Sequence, residues 1–148
     1  MNKYLIIIIF IVLVVAGGVI YREFFLAEES KPVNTGEVRE ITITAKKNQW
    51  RFEPDEFTAN RGDRVIATVV NEDDYDHGFA IDALGISQRI PAGGTIKVEF
   101  VVTQAGDFPF YCSVPCGEGD VIIDGEIVHR SHFDQIGVIH VRDIVRTE

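Results

Sequence analysis

The sequence predicts an all-β sandwich with Greek-key connections, preceded by a single apolar N-terminal helix. Three observations lead there. Residues 4–21, YLIIIIFIVLVVAGGVIY, are uncharged and almost wholly apolar. From residue 38 onward, short runs rich in β-branched and aromatic residues recur with period-2 alternation. Turn-forming clusters separate those runs: NRGD at 60–63, PAGG at 91–94 and QAGD at 104–107.

The apolar run is long for a cleaved signal peptide and near the lower limit for a membrane-spanning helix. Residues 1–22 are therefore expected to form an uncleaved transmembrane anchor. Lys3 stands against Arg22 and Lys31 on the other flank, so flanking charge sets no orientation. Residues 23–37, polar and carrying Pro32 and Gly36, are expected to be a linker. The remaining residues, 38–148, form one domain, large enough to bury a modest core.

Within that domain VREITITA (38–45) alternates Ile41 and Ile43 with Thr42 and Thr44. RVIATVVN (64–71), GFAID, TIKVEFVV (95–102), FPFYC and GVIHV follow as further strands. No amphipathic helical stretch competes with them. The formal net charge of −9 argues against nucleic acid, which needs basic patches, and suits a basic protein partner.

The two cysteines, Cys112 and Cys116, are a C-x3-C pair just after the FPFY strand. Such a pair is either a local disulfide or a thiolate metal site. His132 leads into the last strand and Gln135 lies three residues on. His77 lies upstream in DDYDHGF. Thiolate with imidazole on a rigid β scaffold suits copper electron transfer. The acid run Glu72, Asp73, Asp74 and Asp76 around His77 reads as a solvated loop that could help dock a cationic donor.

Residues 48–141 resemble the copper domain of cytochrome c oxidase subunit II and its cupredoxin relatives. NQWRFEP, Gly62-Asp63, DHGFAI, the Pro-x-Gly turn at 91–93, AGDFPFYCSVPCG and H-x-x-Q-x-G-x-I-x-V at 132–141 carry the resemblance. It implies a cupredoxin-like fold and a CuA-type centre of two copper ions. The implied ligands are His77, Cys112, Cys116 and His132, with the Val114 carbonyl as a weak donor and Gln135 in the place of the family's methionine. Trp50 takes the place of an aromatic residue used for electron input. The resemblance also implies a single-pass membrane protein with its copper domain outside the cytoplasm. Its partners would be subunit I of a haem-copper oxidase and a cytochrome c or other small redox protein. A copper chaperone or storage protein and a mononuclear cupredoxin are the alternatives.

The chain departs from the family pattern in three ways, of which Gln135 in the methionine position is one. Asp120 stands where histidine is expected after Cys116, and His132 comes twelve residues later. VIID-GEIV (121–128) is two apolar runs around Asp124-Gly125, a favoured turn dipeptide in two-residue hairpins. A β-hairpin inserted at about 120–131 would return its ends to neighbouring-strand distance and leave His132, rather than Asp120 or His129, in register. His140, alternating with Val138, is expected on the surface of the last strand.

Overall fold

The strands form where β-branched residues alternate with polar ones, and their apolar faces can be buried only against a second sheet. The computed structural model describes residues 3–25, 32–33 and 36–145. Internal contacts divide the chain into two units, Met1–Val33 with Val145–Glu148, and Asn34–Ile144.

The first unit holds the helix α1 (Lys3–Phe25) and the two-residue strand β1 (Pro32–Val33). Its described side chains, Ile7 to Val15 among them, are exposed. Among the described residues no helix is long and apolar enough to cross a membrane. The structure therefore does not establish the expected anchor. The side chains of Leu5, Ile6, Val19 and Ile20, within the expected span, lie outside the described residues. So do 26–31 and 34–35, half of the expected linker.

In the second unit the strands run β2 (Val38–Ala45), β3 (Phe52–Glu53), β4 (Glu56–Asn60), β5 (Arg64–Asn71), β6 (His77–Ile81), β7 (Ile86–Ile90), β8 (Thr95–Val101), β9 (Gly106–Tyr111), β10 (Glu118–Ile123), β11 (Glu126–Ser131) and β12 (Ile136–Arg142). A last short strand, β13, covers Ile144–Val145. One sheet has the order β3-β2-β5-β8 and the other β4-β12-β9-β6-β7. The β2–β5 and β4–β12 pairs are parallel and the other neighbours antiparallel. This is a β-sandwich with strands crossing between sheets. Strands β10 and β11 pair only with each other.

In β5, Val65, Ala67 and Val69 point into the sandwich and Ile66, Thr68 and Val70 away from it. They join Ile43, Phe79, Ile81, Phe110, Ile139 and Val141 in one buried cluster. Phe52, Phe79 and Phe110 meet with ring centroids 5.5–5.9 Å apart. Phe110 thereby anchors the end of β9, two residues before Cys112. Gly137 is needed opposite it: a Cβ there would stand 2.2 Å from the Phe110 ring and 2.4 Å from the Asp55 carbonyl.

Candidate metal centre

Three chain segments deliver the site to one end of the sandwich. Strand β9 ends at Tyr111 and hands Cys112 to a loop that continues to Cys116 and Gly117. The loop after β5 returns through Asp73 and Tyr75 to His77, the first residue of β6. The third segment is a short 3-10 turn, His132–Asp134, followed by Gln135 at the head of β12.

Both cysteines are buried and unbridged. Their Sγ atoms lie 3.4 Å apart, well beyond the ~2.05 Å of a disulfide. Each sulfur has its own oxygen neighbour. Cys112 Sγ is 3.2 Å from the Val114 carbonyl oxygen, and Cys116 Sγ is 3.5 Å from Gln135 Oε1. His77 Nδ1 is 3.7 Å from Cys112 Sγ. Among the described residues, His77, Cys112 and Cys116 form a cluster whose ligand atoms all lie within 4.8 Å of one another.

His132 is half-buried, its Nδ1 is buried, and that atom has no hydrogen-bond partner. It shares with Cys112 the wall of an apolar depression of about 210 Å³, and its ring packs on Phe133 at 3.8 Å between centroids. Gln135 is fully buried, with Nε2 likewise unpartnered. Buried polar atoms in native proteins are nearly always paired, so two orphans beside the sulfur pair mark a place built for something more. Uncrosslinked soft sulfur, imidazole nitrogen and amide oxygen form a donor set that fits copper.

Hydrogen bonding from Cys116 holds Cys112 well below the ordinary thiol range, aided by His77 and by the Gly78 N–H at 3.3 Å. The same Cys112 contact, with burial, pushes Cys116 up. Burial pulls His77 toward its neutral form, but its bonds to Cys112 and Asp73 outweigh that and raise it.

Sequence reading missed two features of the site. Asp73 is not a solvated member of the acid run. It is fully buried, and its carboxylate meets His77 Nε2 at 2.7 Å. The run's other ion pairs are peripheral, Glu72 with Lys46 and Asp76 with Arg89. Gly78 is the second feature: a Cβ there would lie 2.4 Å from Ser113 Oγ and 2.6 Å from Ser113 N. Only a glycine lets the cysteine loop approach β6 so closely. The dipeptide His77-Gly78 was the available signal.

Trp50 donates its indole N–H to the Cys116 carbonyl at 3.1 Å and is only 8% exposed. Its backbone, like that of Asn48, has positive φ. The strands β10 and β11 stand over it: a Cβ at Gly119 would meet its ring at 2.5 Å, and Val121 is buried with it. Asp124 and Gly125 make the hairpin turn, both with positive φ as a type I′ turn requires. The rival ligands are turned to each other. His129 Nδ1 is 3.0 Å from the Asp120 carboxylate, on the exposed face of the hairpin. His140 is on the outer face of β12, 2.8 Å from Asp107.

Residues 9–123 match the family described as Cupredoxin-like domain. Nitrous-oxide reductase of Stutzerimonas stutzeri is 32% identical over 115 residues, which are 76% of this chain and 16% of that enzyme. The chain thus spans a small part of the curated relative. Among solved structures, auracyanin A, a "blue" copper protein of Chloroflexus aurantiacus, superposes with a TM-score of 0.55 at 17% identity, covering 71% of this chain and 99% of that one. The periplasmic domain of cytochrome oxidase subunit II of Bradyrhizobium japonicum does so at 0.54 and 19%, covering 70% and 83%. With sandwich, strand order and family match in agreement, the chain belongs to the cupredoxin-like family.

Proposed function

We propose that this chain is a copper-binding electron-transfer protein with a centre of the CuA type, anchored in a membrane through α1. The observation that carries the reading is the unbridged sulfur pair, 3.4 Å apart, with separate further donors on its two sides. His77 and the Val114 carbonyl attend Cys112; the Gln135 amide oxygen attends Cys116. In this reading His77, Cys112, Cys116 and His132 hold two copper ions, and Val114 and Gln135 are weak donors. Copper bound there supplies a one-electron store.

The chain's contribution is rigidity and dryness. Asp73 fixes the His77 ring, Gly78 N–H fixes Cys112, and Trp50 fixes the Cys116 carbonyl. Donors held in this way move little when the charge of the site changes. The uncharged run 4–21 supports anchoring, with residues 1–22 as anchor, 23–37 as linker and 38–148 as the copper domain. The domain would sit on the extracytoplasmic side. The likeness to oxidase subunit II supports subunit I of a haem-copper oxidase as electron acceptor and a cytochrome c or similar protein as donor.

Copper stoichiometry and paramagnetic resonance of the full chain in detergent test the reading. Two coppers sharing one unpaired electron are expected. One copper with a localised electron would make the site mononuclear, and copper lost on dialysis would make the protein a chaperone or store.

A further inference from the structure

The β10–β11 hairpin sits between two proposed ligands, with Glu118 two residues after Cys116 and Ser131 immediately before His132. Its two faces differ. Gly119 and Val121 turn inward onto Trp50. Arg130, the cross-strand partner of Gly119, lines with Arg51 and Val121 a depression of about 320 Å³ beside the hairpin, whose rim also includes Ile122 and Asp124. Alternation then places Glu118, Asp120 and Ile122 on the outer face, opposite Ser131, His129 and Ile127.

Ile122 and Ile127 are directly paired across the ladder and are 77% and 75% exposed. Scattered exposed apolar residues need no explanation. This pair goes further: the two isoleucines support the ladder through each other, yet most of each side chain stays in solvent and the two join into one apolar patch. The carboxylates of Glu118 and Asp120 share their face, with Asp124 at the turn, and His129 is the one basic side chain on that face, held 3.0 Å from Asp120 and 3.8 Å from Glu118.

We propose that this outer face, Ile122 and Ile127 beside Glu118 and Asp120, docks a basic redox protein that has an apolar centre and a rim of lysine or arginine. The proposal rests on the electron-transfer reading of the neighbouring site. Charge selects the occupant: the same carboxylates repel a second copy of this acidic chain and an anionic lipid surface. Position supports it as well. Trp50 lies under the hairpin and cannot meet a partner directly, so a partner approaching from that side meets the hairpin. From there the contacts run inward through Gly119 and the Trp50 ring to the Cys116 carbonyl.

The test uses the full chain in detergent and, as probe, a lysine-rich c-type cytochrome in its oxidised form. Binding is followed at low salt by calorimetry and by broadening of the cytochrome's proton resonances. Ile122→Ser/Ile127→Ser should weaken binding at least tenfold while the domain stays folded, because beyond their own cross-strand pair both side chains are exposed. Glu118→Gln/Asp120→Gln should weaken binding and reduce its salt dependence. Wild-type chain that does not bind the cytochrome, or the isoleucine variant binding as tightly as wild type, would overturn the proposal. So would loss in that variant of self-association or vesicle binding instead. Copper content and the paramagnetic signal, measured on the same samples, separate failure of this surface from failure of the copper reading.

Discussion

His77 and Asp73 meet Nε2 to carboxylate at 2.7 Å, with neither side chain open to solvent. The contact turns the other ring nitrogen, Nδ1, toward Cys112. Asp73 is itself fully engaged. Its second oxygen accepts the Asn48 N–H at 2.7 Å, and its own N–H donates to Asn71 Oδ1 at 2.9 Å. One buried carboxylate therefore orients the imidazole and also holds the positive-φ loop that carries Trp50. Partners of this kind fix the tautomer and basicity of a metal-binding histidine.

Asp73→Asn keeps the shape and removes the charge. Copper affinity should fall about 10–100-fold, the range found for such outer partners, with the fold retained. Competition against a chelator of known affinity measures it. Unchanged affinity would leave Asp73 a purely structural residue.

Gln135→Met removes an amide whose nitrogen is buried without a partner. Binding should persist and the reduction potential should shift, because a weak axial donor tunes potential more than occupancy. Stability should stay within ~1–2 kcal/mol of wild type, since no satisfied hydrogen bond of the amide nitrogen is lost. Potentiometric titration and thermal melting check both expectations. An unaltered potential would place Gln135 outside the site.

Much of the sandwich was legible because its inner strands alternate cleanly. Val38–Ala45 and Arg64–Asn71 are strands over the bounds their patterns suggest. The missed strands lack that signal. Ile86–Ile90 has polar residues at its centre, and only Ile90 is buried. Glu56–Asn60 buries only Ala59. In the site, cysteine spacing and the histidine before Gly78 were visible in the sequence. The role of Asp73 was not, because composition cannot tell which carboxylate of an acid run turns inward. That choice depends on an N–H at Asn48, 25 residues away. The cover over Trp50 was also invisible: the insertion could be recognised, but not the face it would pack with.

His140 stands directly across the β9–β12 ladder from Asp107, with Arg142 on the same carboxylate. The Asp107 bond raises His140 and, reciprocally, lowers Asp107. A raised folded-state histidine contributes stability that is fully present below its unfolded value, here 6.5, and is lost as pH rises through the folded value. The lowered aspartate contributes above 3.8 and loses its contribution as pH falls through its folded value. Both groups are solvent-exposed, so the effect should be small and salt-sensitive. Wild type should lose melting temperature as pH rises above 6.5, and His140→Gln should flatten that decline. An equal decline in both proteins would show that another group causes it.

Excising residues 120–131 gives the most direct test of the ligand register. Glu118 and Ser131 are paired at the hairpin's root, and His132 N–H already bonds the Gly117 carbonyl at 3.0 Å. Joining Gly119 to His132 therefore asks little of the backbone. Ile122 and Ile127 are exposed and paired with each other, so the apolar loss is mainly that of buried Val121 and of partly buried Ile123 beside it. Loss of Val121 should cost about 1.5–3 kcal/mol, the worth of one buried aliphatic side chain, and loss of Ile123 less than that. The shortened domain should fold and bind copper. With its cover gone, Trp50, the chain's only tryptophan, should show red-shifted emission. His132→Ala in the shortened domain should abolish the copper spectrum, whereas His129→Ala in the full chain should leave it intact, since His129 is exposed and occupied by Asp120. A shortened domain that folds but takes no copper would mean that a residue of the excised hairpin, Asp120 or His129, is the true ligand.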